Sequence, residues 1–158
     1  MGKLLGTERY TEHRSTKNTE NTKAQNNMST EFQNRLKTLM DEYIYFVYCV
    51  TQKFPKEELY SSVSQWRRST LSIILNYIEG YARKKSLVQL NFYEISYGSL
   101  RESKYLLYFS HKINFITNEE YRKGFELSEE IGKMLWSEIT KLQNSIDYTN
   151  KNKTPIIK

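Results

Sequence analysis

The sequence predicts an all-α protein, an antiparallel up-down-up-down four-helix bundle, on three observations. Apolar residues recur at alternating steps of three and four along four long stretches. Helix breakers are scarce, with two prolines and six glycines in 158 residues. No stretch of useful length alternates apolar with polar residues as a half-buried strand does. Short links between long helices then set consecutive helices antiparallel.

The first helix is expected over residues 29–53, with Ser29 or Thr30 as N-cap. Phe32, Leu36, Leu39, Tyr43, Phe46 and Val50 form its core stripe, widened by Met40 and Val47. Phe54 precedes Pro55 and so disfavours helical geometry, which ends the element. Helix 2 is expected over 56–82, starting at Pro55 or, after a short break, near Ser61. Val63, Trp66, Thr70, Ile73, Ile74, Tyr77 and Tyr81 share one of its sides, while Gln65, Arg68, Ser72, Asn76 and Glu79 share the other.

Helix 3 is expected over 87–112 with Ser86 as N-cap. Its candidate stripe is Val88, Phe92, Ile95, Ser99, Glu102, Leu106, Phe109 and Ile113. Ser96, Ser99, Ser103 and Ser110 make a row of small residues that lets a neighbouring helix come close. Helix 4 is expected over 118–147, opened by a capping box of Thr117 and Glu120. Tyr121, Phe125, Ser128, Leu135, Ile139, Leu142 and Ile146 share one side of it, and Gly132 marks either a close crossing or an exposed position. The bundle thus spans 29–148. Residues 1–28 are polar and predicted to be disordered, and 149–158 read as a flexible basic tail. His13 falls in the first tail, and Met28, directly before the first helix signal, reads as an alternative start.

A count about the link near Arg83 to Lys85 sets Arg67 level with Glu102, Ser69 with Ser99, and Ser72 with Ser96. An ion pair from Arg67, or from Arg68 if the helix is rotated, to Glu102 is therefore expected. Gln65, Arg67, Arg68, Asn76, Glu79 and Glu102 are read as one structural polar network.

The net charge is +6. Arg83, Lys84 and Lys85 cluster in one link, and up-down topology brings Lys37, Arg35, Lys151 and Lys153 to the same end. A basic pole of this kind suits phosphate backbones, RNA or DNA, with salt-dependent binding. The candidate nucleic-acid-binding residues are Arg83, Lys84, Lys85, Lys151 and Lys153. Two histidines, one cysteine and the absence of a zinc, phosphate-loop or bundle-carboxylate motif leave no candidate catalytic residue, metal site or cofactor. His111 reads as a surface or capping residue and Cys49 as a small buried hydrophobe. A lone cysteine excludes an internal disulfide, and a start without an apolar core argues against a signal peptide. No apolar run reaches the ~20 residues that a membrane helix needs. A cytoplasmic protein without membrane contact is expected.

One set of residues has a recognisable pattern: Phe54-Pro55, Leu59, Gln65-Trp66-Arg67-Arg68, Ser72-Ile73 and Asn76-Tyr77-Ile78-Glu79-Gly80, followed by Phe92, Ile95, Gly98-Ser99-Leu100 and Glu102. On these, the chain resembles the four helix bundle protein family. That family includes the 23S rRNA-intervening sequence proteins of bacteria and is distantly similar to the accessory protein of diversity-generating retroelements. The resemblance is strong from Phe46 to Leu107. The chain departs from the family pattern at Tyr77 and Ile78, where the family carries Ile and Ala. The resemblance implies a ring-like homopentamer that binds nucleic acid, with a reverse transcriptase as a further partner, and it implies no established activity. Two readings follow. One is a non-catalytic oligomer that binds RNA or DNA through its basic pole. The alternative is a protein-interaction scaffold without nucleic-acid binding.

Overall fold

A computed structural model describes residues 30–153 of the chain. Four α-helices form an antiparallel bundle: α1 over 30–51, α2 (Ser64–Tyr81), α3 (Ser86–Lys112) and α4 (Asn118–Lys153). The chain divides after Arg35, and the bundle proper is the unit that begins at Leu36. The expected tail over 1–28 lies outside the described residues. Residues 149–153, expected to be loose, are instead the last turns of α4. There Gln143 Nε2 donates to Asp147 Oδ1 at 2.8 Å, and Thr149 Oγ1 donates to the Ser145 carbonyl at 2.8 Å. The Gln143–Asp147 side-chain pair, one turn apart, is of the kind that supports a polar helix.

The start of α2 is graded rather than abrupt. One 3-10 turn (Lys56–Glu58) and one π-helical turn (Leu59–Val63) lead directly into it. Ser61 and Ser62 donate to the Glu58 carboxylate at 2.6 and 2.7 Å, which lowers its pKa below the usual carboxylate range. The expected Ser86 cap is not formed. Ser86 is the first helical residue of α3, Lys85 is the cap, and no side chain bonds that terminus. The capping box of α4 is present: the Thr117 N–H donates to Glu120 Oε2 at 2.9 Å, and the Glu120 N–H to Thr117 Oγ1 at 3.1 Å.

Helix α3 ends on a Schellman motif. Asn114 adopts φ 59°, its N–H donates to the His111 carbonyl, and the Phe115 N–H reaches Ser110. Phe115 then packs edge-on against Phe54 with ring centroids 5.0 Å apart, and Phe54 lies 6.0 Å from Trp66. The α1–α2 and α3–α4 links are thereby tied at one end of the bundle.

The core is Leu36, Met40, Tyr43, Val47, Trp66, Ile73, Tyr77, Tyr93, Leu100, Leu107, Ile131 and Leu135, all at 2% exposure or less. The stripes expected for α1 and α2 largely match the buried faces. The α3 stripe does not. Its buried face is Leu90, Tyr93, Ser96, Leu100, Ser103, Leu107 and Ser110. Val88, Ile95, Phe109 and Ile113 lie outward. Three of the seven inner residues are serines, and two of them, Ser96 and Ser103, bond directly to α2. On α4, Phe125 is likewise exposed, and the close approach is at Gly124, where a Cβ would lie 2.5 Å from the Phe46 ring. Gly132 has only ordinary contact with Leu100.

Candidate nucleic-acid interface

The α2–α3 contact fixes everything around the basic link. Trp66 Nε1 donates to Ser103 Oγ at 3.0 Å. Thr70 Oγ1 lies 2.8 Å from that same oxygen, and Ser103 donates to the Tyr43 hydroxyl at 3.1 Å. Burial pushes the Tyr43 hydroxyl pKa up to about 12, against hydrogen bonds from Ser103 and Trp66 that lower it. Higher along the seam, Ser72 and Ser99 meet at 2.9 Å, and Ser96 donates to the Ile73 carbonyl at 2.6 Å. The expected seam of small residues is therefore present. Its pairings are Ser72 with Ser99 and Thr70 with Ser103, not Ser69 with Ser99 and Ser72 with Ser96. Ser69 turns back to the Trp66 carbonyl.

The expected arginine–Glu102 ion pair is not formed. Glu102 is bonded by Gln65, and Arg68 donates to Gln65 Oε1 at 3.1 Å. Arg67 faces α1, where its Nε donates to Thr51 Oγ1 at 2.8 Å and its guanidinium lies 4.7 Å from the Tyr48 ring centroid. The height inferred for Arg67 holds, since Trp66 beside it meets Ser103 beside Glu102. The angle about the helix axis was wrong. Asn76 donates back to Ser72, and Glu79 pairs with Arg83 one turn on. The residues read as one network are thus separate clusters.

The link of residues 82–85 is exposed throughout. Arg83, already paired with Glu79, also lies 5.2 Å from the Phe92 ring centroid. Lys84, Lys85 and Lys151 have no acidic partner among the described residues. Lys153 closes α4. Lys85 and the α3 start (Leu87, Val88) meet Ile146, Thr149 and Asn150 of α4 around a cavity of about 410 Å³. Lys37 of α1 lies 5.2 Å from the Tyr81 ring centroid, at the same end. Lys85 is the one cation among the residues that line this cavity, beside the apolar Leu87, Val88 and Ile146.

Elsewhere, His111 Nε2 lies 2.7 Å from Asn118 Oδ1 and stacks on Tyr121 at 4.5 Å, bracing the α3–α4 link. Cys49 is half-buried rather than buried. Among the described residues there is no group of three or more His, Cys, Asp or Glu placed to hold a metal ion, and no helix long and apolar enough to cross a membrane. A second groove, between α3 and α4, is lined by Tyr97, Arg101, Lys104, Glu129, Lys133 and Trp136. The sequence signal for it is the interleaving of cations and aromatics on α3, which a search for apolar stripes passes over.

A crystal structure of a protein of unknown function from the S23 ribosomal protein family of Bacteroides thetaiotaomicron is similar to this chain. It has a TM-score of 0.64 and 24% identity, covering 69% of this chain and 98% of that one. At that identity the likeness is one of fold. No curated protein matches the sequence. The model of one protein family, described as 23S rRNA-intervening sequence protein, matches residues 34–137, from α1 well into α4. On that match the chain belongs to the 23S rRNA-intervening sequence protein family.

Proposed function

We propose that the protein is a non-catalytic, oligomeric nucleic-acid-binding bundle of the cytoplasm that holds RNA or DNA phosphates with Arg83, Lys84, Lys85, Lys151 and Lys153. The observation that carries this reading is the exposed trio Lys84, Lys85 and Lys151, which lack acidic partners among the described residues where the α2–α3 link meets the end of α4. The family's name supports an RNA setting. A reverse-transcriptase partner rests on motif resemblance alone. Self-assembly, as a pentamer by that resemblance, is supported by Leu75, Ile78 and Ile95, large apolar residues left exposed on α2 and α3.

Replacing Arg83, Lys84 and Lys85 together with Ala is expected to weaken RNA and DNA binding alike. It should also flatten the salt dependence, by roughly 0.7 per lost contact on single strands and 0.9 on duplex DNA. Titrations across a salt series measure this. The exposed apolar residues equally favour a protein-interaction scaffold. Absence of binding by the unmodified protein at low salt would make that reading the better one.

A further inference from the structure

We infer that the outer face of α3, together with the α3–α4 groove, is a stacking track for single-stranded nucleic acid, with Trp136 and Tyr97 as its first base platform. At 100° per residue, Tyr97, Arg101, Lys104, Tyr105, Tyr108 and Lys112 fall within an arc of roughly 100°. Three rings and three cations are therefore interspersed along about 22 Å of one helix face, in the order ring, cation, cation, ring, ring, cation. Tyr105 and Tyr108 are exposed, with ring centroids 6.4 Å apart. At the near end, Trp136 of α4 is 55% exposed and its ring lies 5.3 Å from that of Tyr97.

The groove beneath that pair has a volume of about 230 Å³, below the ~300 Å³ at which cofactor-sized pockets begin, which suits one base rather than a whole cofactor. Its charge is positive on balance. Arg101, Lys104 and Lys133 face a single acid, Glu129, which is bonded to Lys104. Beyond Lys133 the surface turns acidic at Glu126 and Glu130, around Phe125. A polyanion is thereby directed along α3 rather than α4. Flat rings spaced between cations bind unpaired bases of any sequence, because each base offers a π-face and each phosphate a charge. A duplex keeps its bases stacked on one another and can use only the cations.

This inference rests on the nucleic-acid reading but uses a different face from the 82–85 link, so the two can fail separately. The full-length protein is titrated with a ten-nucleotide oligo(dT) and with a ten-base-pair duplex at one salt concentration, following anisotropy and tryptophan fluorescence. Trp66 is 1% exposed, so quenching by the oligonucleotide reports Trp136. Oligo(dT) is expected to quench and the duplex not. Trp136→Ala should weaken oligo(dT) binding on the order of tenfold and duplex binding less than twofold, while Trp136→Phe keeps most of the affinity. Tyr105→Ala, at a residue 63% exposed and hence outside the core, should show the same selectivity with folding spared. Equal losses on both ligands, or no quenching, would overturn the track while leaving the basic link intact. Binding of neither ligand overturns both readings. A drop in assembly mass with Trp136→Ala, without a selective loss of oligo(dT) affinity, would assign the groove to contact between copies.

Discussion

The α2–α3 and α1–α4 contacts bring helices together by opposite means. Between α2 and α3, hydroxyl side chains replace bulk, and Ser96 and Ser103 are both fully buried with their oxygens bonded across the seam. Between α1 and α4, bulk is removed outright at Gly124, and the Phe46 ring fills the space. The first contact is directional, since each hydroxyl needs a partner at one height. The second depends on shape alone. The polar seam therefore fixes register, whereas the glycine contact fixes only distance.

The largest effect expected is on the seam. Ser103→Val removes one oxygen met by Trp66, Thr70 and Tyr43, and leaves the buried Trp66 N–H without its acceptor and the Tyr43 hydroxyl without its donor, at about 1–3 kcal/mol each. A total loss of roughly 3 kcal/mol or more in denaturant unfolding is expected, and a loss under ~1 kcal/mol would show that the hydroxyls merely fill space. The glycine contact is next. Gly124→Ala gains helix propensity of about 1 kcal/mol but drives a methyl into Phe46 and Leu107, for a net loss of about 1–2 kcal/mol. The same change at Gly98, where nothing lies within 4 Å, should stabilise by about 0.5–1 kcal/mol. Equal shifts in the two melting temperatures would remove the role of shape at Gly124.

The smallest effect concerns neither contact and serves as their control. Lys53 and the Thr117 N–H hold the Glu120 carboxyl below the usual carboxylate range. A depressed folded pKa means that this stabilisation is complete above the unfolded value, about 4.3, and is lost as pH falls through the folded one. Glu120→Gln keeps the capping box but removes that dependence, so its melting temperature should fall less than the native protein's as the medium is acidified below about pH 4.3. Identical acid profiles would show the pair to be without consequence.

Four helices, their order and the height at which α2 meets α3 were legible because apolar spacing and residue counting report position along an axis. Angle about the axis was not. Arg67 points to Thr51 on α1 because α2 packs on α1 as well as on α3, and counting along one link cannot choose between them. The α3 stripe was misread for the same reason: its true inner face carries Ser96, Ser103 and Ser110, which hydropathy ranks as surface. Gly124 passed unnoticed and Gly132 did not, since a glycine's role depends on the ring opposite it. The mixture of cations and rings from Tyr97 to Lys112 is present in the sequence, on an outward face that apolar periodicity does not report.

The π-helical turn at Leu59–Val63 has a consequence for insertions and deletions. Such a turn carries one residue more than an α-helical turn over nearly the same arc. The turn includes the exposed Tyr60 and lies between the anchored Phe54 and the buried Val63. The turn therefore works as slack: a chain one residue shorter here can close it into an ordinary helical turn. Trp66 and the seam behind it then keep their orientation, and the length of the α1–α2 link can vary without turning α2 on its axis.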